Sequence, residues 1–126
     1  MKNIYFDNAA TTALDSDVLE SMIPYLKENY GNASSIYKIG KVSRKAIEDS
    51  REKIAKILNC RKEEIYFTSG GSESDNTAIK GIAHAYKNKG NHIITSKIEH
   101  PAVLETCKVL EKEGYKITYL NVDSNG

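Results

Sequence analysis

Residues Phe67-Thr-Ser-Gly-Gly-Ser-Glu-Ser-Asp-Asn76 set two glycines and several small hydroxyl side chains between an apolar run and a helical pattern. The run is Glu64-Ile-Tyr-Phe-Thr68, and the pattern carries Ile79, Ile82, Ala83 and Tyr86 on one face. A strand, a glycine turn and a helix start in that order can hold an anion. Glycine lets the backbone come close to a phosphate, and the N–H groups of a first helical turn have no acceptor of their own. Ser72 adds a hydroxyl, and Asp75 three residues on fits a relaxed capping box. An ordinary βα turn with a good N-cap has the same composition, so spacing alone does not choose between the two. The second cluster is Glu99-His100-Pro101, at the entry to another helix. By itself it reads as a helix-entry histidine hydrogen-bonded to backbone.

The elements that must position these residues follow from periodicity. Asp7-Asn-Ala-Ala-Thr-Thr12 is small and polar, an extended arm or loop. Asp15 or Ser16 caps a helix from Asp17 to about Glu28 with Val18, Leu19, Met22, Ile23 and Leu26 as its apolar side. Pro24 predicts a kink or break near Met22 to Ile23. Tyr30 to Ser35 is a loop by composition. A charged helix then runs from Tyr37 to Leu58, with Val42, Ala46, Ile54, Ile57 and Leu58 inward and Asn59 closing it. A strand at Ile65 to Thr68 leads through the glycine turn into a helix from Ser72 to Lys87, which Gly90 ends. His92 to Thr95 is a second strand. The helix opened by Pro101 runs to Lys112 with Val103, Leu104, Cys107 and Leu110 inward. Gly114 closes it, and Lys116 to Val122 is a third strand.

Strands alternating with helices require crossover links, so the expected class is α/β with a helix-covered, mostly parallel sheet. Ligands of such sheets gather at the carboxyl ends of the strands, where both Ser69–Ser72 and Ser96–His100 fall. Three strands leave an uncovered edge, and the chain is expected to be the front part of a larger protein.

Composition narrows the function classes. With 40% hydrophobic and 28% charged residues the chain is of globular type. A net charge of +1 gives no reason to expect nucleic acid or a membrane surface as partner. Cys60 and Cys107 have no metal-ligand spacing and read as reduced thiols, and His84, His92 and His100 form no His-x-x-x-His pair, so no metal is expected. His84 and His92 have only a structural reading.

Four stretches together resemble one family: Tyr5-Phe-Asp-Asn-Ala-Ala-Thr-Thr12, Gly31-Asn-Ala-Ser-Ser-Ile-Tyr37, the glycine turn Phe67 to Asn76, and Glu99-His-Pro-Ala-Val-Leu-Glu-Thr-Cys107. The chain is similar to the first third of a cysteine desulfurase, in the class V aminotransferase group of pyridoxal-phosphate (PLP) enzymes. Two departures are Ala33, where the family commonly has Pro, and Ser72, where it commonly has Thr; the second keeps the hydroxyl. The resemblance implies the N-terminal portion of a fold-type I PLP-dependent transferase large domain. Residues 1–15 would form an N-terminal arm on the small-domain side and 16–126 the first part of the large PLP-binding domain, truncated at its C-terminal end.

The resemblance also assigns residues. Gly71 and Ser72 match the positions that hold the cofactor phosphate, and His100 matches the catalytic histidine stacked on the pyridine ring. The Asn8 and Asn32 loops match segments near the active-site mouth. A phosphate suits a helix N-terminus, and an imidazole is flat and titrates near neutral pH. Cys107, on the apolar side of its helix, is not the sulfur carrier. In the family that cysteine, the PLP lysine, the aspartate facing the pyridine nitrogen and the arginine for the substrate carboxylate all lie further along. The implied activity is PLP-dependent removal of sulfur from L-cysteine, giving alanine and an enzyme persulfide for iron–sulfur clusters or thio-modified tRNA. Implied partners are a second copy in a cytoplasmic homodimer and a sulfur-accepting scaffold or carrier protein. The 126 residues alone are expected to be inactive. Rival readings are a selenocysteine lyase or other class V member, and a non-catalytic half-domain that binds a phosphate ligand or a partner.

Overall fold

The computed structural model describes residues 4–126; the first three residues of the expected N-terminal arm lie outside the described residues. The chain divides into two compact units, Met1–Ile65 and Tyr66–Gly126.

The first unit holds two helices, α1 (Ser16–Lys27) and α2 (Lys38–Leu58), and a 3-10 turn at Lys62–Glu64. Asp15 caps α1 by accepting from the N–H groups of Asp17 and Val18 at 2.9 and 3.4 Å. The helix continues through Pro24, so of the kink or break expected near Met22 to Ile23 the break does not occur. Its last turn is closed by Glu28 and Asn29, whose N–H groups both donate to the Pro24 carbonyl. No residue of α1 is buried, so its apolar side is only partly covered among the described residues. The loop before α2 is tied to it by two long bonds. Ser43 Oγ donates to the Asn29 carbonyl at 2.9 Å, and Arg44 Nε donates to that of Ala33 at 2.7 Å. Asn59 ends α2 in the left-handed region, φ 52°, as expected. The inner side of α2 differs from expectation. Gly40 and Ala55 are its buried residues, Ala46 and Ile54 are half-buried, and Val42, Ile57 and Leu58 are exposed.

The expected strand at Ile65 to Thr68 is not a strand. Ile65 is extended at φ −96°, ψ 123°, but the segment joins no ladder among the described residues. Extended backbone becomes sheet only when a neighbour takes up its N–H and C=O groups. Here Arg51 Nη1 donates to the Ile65 carbonyl in place of a strand partner.

The second unit holds α3 (Gly71–Ala85), β1 (His92–Ser96), α4 (Pro101–Lys112) and β2 (Lys116–Leu120). β1 and β2 pair in parallel from His92↔Lys116 to Ser96↔Leu120, with α4 as the crossover, so the class is α/β as expected. α3 ends at Ala85, short of Gly90. Gly114, at φ +93°, closes α4 in a backbone conformation that other residues rarely adopt. Beyond it the Tyr115 N–H returns to the Leu110 carbonyl at 3.0 Å, a Schellman-type end. Leu110, Ala83 and Tyr115 form the core, with Ile79, Ile93 and Ile117 packed against them. Tyr115 is buried with its hydroxyl satisfied, donating to the Ala83 carbonyl at 2.9 Å.

Candidate cofactor site

Gly70 is the N-cap of α3, so Gly71 is its first helical residue and Ser72 its second. The expected capping box of Ser72 and Asp75 does not form, and a bond from Glu73 to the residue before the N-cap closes the turn instead. Glu73 reaches back, and its Oε2 accepts from the Ser69 N–H at 2.7 Å and the Ser69 hydroxyl at 2.6 Å. A glutamate has the reach for this, whereas Ser72 already sits inside the helix. Those two bonds hold the Glu73 carboxyl below the usual carboxylate range. Thr68 Oγ1 adds a tie to Ser74 Oγ at 2.7 Å, closing the turn on itself.

This leaves a defined donor set. The N–H groups of Gly71, Ser72 and Glu73 have no acceptor inside the helix, because its first bond runs from Ser74 to the Gly70 carbonyl. The Ser72 hydroxyl caps nothing among the described residues. A Cβ built on Gly70 or Gly71 meets nothing within 4 Å, and Gly70 is extended at φ 167°, so the chain's own packing does not demand either glycine. A side chain there would instead stand in the approach to the exposed N–H groups. Three N–H donors and one hydroxyl at the positive end of a helix dipole are the chemistry a phosphate monoester needs.

His100 is the N-cap of α4. Its Nδ1 accepts from the Ala102 N–H at 3.1 Å. The neutral ring therefore carries its proton on Nε2. Capping is the structural role foreseen for a helix-entry histidine. It also fixes the ring and leaves its faces and Nε2–H exposed.

Cross-links between α3 and α4 show that the two helices run parallel. Asn76, five residues after Gly71, faces Thr106, five residues after Pro101, and Thr106 Oγ1 donates to Asn76 Oδ1 at 2.8 Å. At the far end His84 Nε2 meets Glu113 Oε2 at 2.8 Å. Near pairs with near and far with far, so both N-termini emerge at one end of the pair. Ser72 and His100 thus belong to the same end of the same unit. Sequence reading assigned no role to Asn76 and Thr106. Their signal was two polar residues at helix positions that packing would otherwise fill with apolar ones.

The remaining sequence candidates fall elsewhere. His92 Nε2 meets Thr118 Oγ1 at 2.8 Å across the sheet, and His84 pairs with Glu113, so both are structural. Cys107 is buried, and burial first, then the carboxylates of Glu111 and Glu99, push its thiol up. Asn8 and Asn32 lie in loops of the first unit, where Asn32 Oδ1 accepts from the Ser34 N–H at 2.9 Å. Among the described residues no helix is long and apolar enough to cross a membrane.

Comparison with known proteins adds the following. The sequence model of the family described as aminotransferase class-V matches residues 4–126. A protein named cysteine desulfurase IscS from Clostridium botulinum (strain Hall) is 57% identical over 125 residues, which cover 99% of this chain and 32% of that protein. A solved structure titled NifS-like protein superposes with a TM-score of 0.90 at 45% identity, covering 98% of this chain and 34% of the other. A second, titled SspA in complex with cysteine, gives 0.84 at 45% identity over 92% of this chain and 33% of the other. The α/β arrangement is therefore that of the corresponding part of those structures. The chain spans about a third of the length of the curated relatives it matches.

Proposed function

The chain belongs to the aminotransferase class-V family, and from that premise we propose that it supplies the phosphate cradle and the ring-facing histidine of a pyridoxal-phosphate-dependent cysteine desulfurase. What supports this reading is that α3 and α4 run parallel, so that Gly71 and Ser72 and the exposed His100 lie at the same end of the helix pair. Similarity to proteins named cysteine desulfurase, one of them titled as a complex with cysteine, supports L-cysteine as substrate.

In this reading the Gly71 and Ser72 N–H groups and the Ser72 hydroxyl would hold the cofactor phosphate, and the His100 ring would face the pyridine. With Nδ1 occupied by the Ala102 N–H, the neutral ring would offer Nε2–H as its donor. The bound cofactor would supply the electron sink for amino-acid chemistry. Cys107 takes no part, since a buried, up-shifted thiol is a poor nucleophile. Alanine and an enzyme persulfide are the products of the whole enzyme, which passes sulfur to a carrier or scaffold protein. We place it in the cytoplasm as a homodimer, with residues 1–15 as an arm against the small domain. In this reading the covalent chemistry would fall to the part of the longer relatives that this chain does not span.

The test is PLP added to the purified chain, followed by borohydride reduction and intact mass, beside equilibrium binding of pyridoxamine phosphate, whose amine cannot condense with lysine. Binding that weakens about tenfold or more in Ser72→Ala, with no stoichiometric reduced adduct, is the expected result. A stoichiometric adduct on one lysine, lost in a Ser72→Ala, His100→Ala double variant, would overturn the division of labour.

A further inference from the structure

Asn76 bonds in two directions. Its Nδ2 donates to the Ser72 carbonyl at 2.9 Å, and its Oδ1 accepts from Thr106 Oγ1 at 2.8 Å. Thr106 is a buried polar residue, 2% exposed, on the face of α4 that meets α3. The order of links is therefore Ser72 to Asn76 to Thr106, and α4 then leads back to His100 at its own N-cap. Each helix continues five residues beyond this bond to its N-terminus, a rise of about 7.5 Å.

A helix pair packed only through Ala83, Leu110 and neighbouring isoleucines has many near-equivalent axial offsets, because apolar contacts are non-directional. A directional bond from buried Thr106 to half-buried Asn76 favours one offset. Sliding either helix by a residue parts the buried Thr106 hydroxyl from Asn76 Oδ1, while the Asn76 Nδ2 bond to Ser72 stays within α3. We propose that Asn76 and Thr106 are positioning residues that set the separation between the phosphate cradle at Ser72 and the ring of His100. The proposal rests on the cofactor reading above. It goes beyond that reading in assigning a role to two residues that touch neither the phosphate nor the ring.

The consequence is selective. A ligand that spans both helix ends, such as pyridoxamine phosphate, depends on the register; inorganic phosphate uses the cradle alone. Both are titrated against the full chain and its variants, with circular dichroism confirming helix content. Thr106→Val, similar in volume but without the hydroxyl, should weaken pyridoxamine phosphate about tenfold while leaving inorganic phosphate within about twofold. Thr106→Ser, which keeps the hydroxyl, should return pyridoxamine phosphate to within about threefold of the parent. Equal loss of both ligands in Thr106→Val would mean a merely structural residue, and loss of neither would mean that apolar packing sets the register; each overturns the proposal. If Thr106→Val does not fold, half-buried Asn76→Ala carries the test. The ratio of the two affinities must then fall about tenfold even if phosphate itself weakens. Failure of the cofactor reading looks different. The parent chain would then bind pyridoxamine phosphate no better than phosphate, and His100→Ala would change neither.

Discussion

Ser72 shows how a residue's role depends on which neighbour satisfies the backbone first. Its hydroxyl was expected to serve an anion or a capping box, but Glu73 closes the turn on Ser69, and the Ser72 hydroxyl caps nothing among the described residues. Glu73 carries a pH signature. Its folded carboxyl titrates below the unfolded one, so its support of the turn is complete above the ordinary glutamate value of about 4.3. That support is lost as pH falls through the lower, folded midpoint. An NMR titration should place the Glu73 midpoint below the ordinary value, with Ser69→Ala moving it part of the way back. A midpoint at or above the ordinary value would contradict the capping geometry. The two thiols differ as well. Cys107 should resist alkylation in the folded chain and react in urea, whereas half-exposed Cys60 should be modified readily. Mass spectrometry of tryptic peptides separates the two, and prompt labelling of Cys107 would show that α4 is not packed as described. The burial of Cys107 was legible in the sequence because it falls on the apolar side of a long, well-capped helix.

At the scale of elements, two helical glycines make opposite predictions. A Cβ on Gly40 would meet the Ser35 hydroxyl and the Asn32 carbonyl, part of the loop that Ser43 and Arg44 hold against α2. Gly40→Ala should therefore destabilise the first unit by about 1–3 kcal/mol despite alanine's better helix propensity. A Cβ on Gly81, inside α3, meets nothing within 4 Å. Gly81→Ala should stabilise the second unit by about 0.5–1 kcal/mol. Urea denaturation of both variants checks the pair, and a shift of the same sign in both would contradict the packing around one of them. Tyr115→Phe leaves the Ala83 carbonyl without its donor and should cost about 1 kcal/mol by the same measurement. Periodicity located the four α-helices of the described residues to within a few residues but missed the 3-10 turn at Lys62–Glu64 and overrated the strand at Ile65 to Thr68. Local pattern can make a segment extended, yet its ladder depends on a partner that the pattern does not contain.

Over the whole chain, the apolar surface is larger than its own packing covers. Every large apolar residue of α1 is exposed, and in the second unit Ile94 and Ile98 are each 62% exposed and Leu120 51%. The sheet has two strands among the described residues, so each keeps an outer edge of unpaired N–H and C=O groups. The chain should bind a hydrophobic dye in its folded state and associate as concentration rises between about 1 µM and 1 mM. Light scattering that stays monomeric across that range, without dye binding, would show that these faces are closed in solution.

The sequence by itself determined the helices, their caps at Asp15, Asn59 and Gly114, the α/β class and the motifs at Gly71–Ser72 and His100. These depend on bonds between residues a few positions apart, or on side-chain types that the chain displays directly. Tertiary structure alone decided which apolar faces are covered, that Ile65 to Thr68 forms no ladder, and that Asn76 meets Thr106. Each of these depends on a partner distant in the chain. A hydrogen bond between residues thirty apart leaves no periodic trace in the sequence, yet it ties α3 to α4 with both N-termini at one end of the pair.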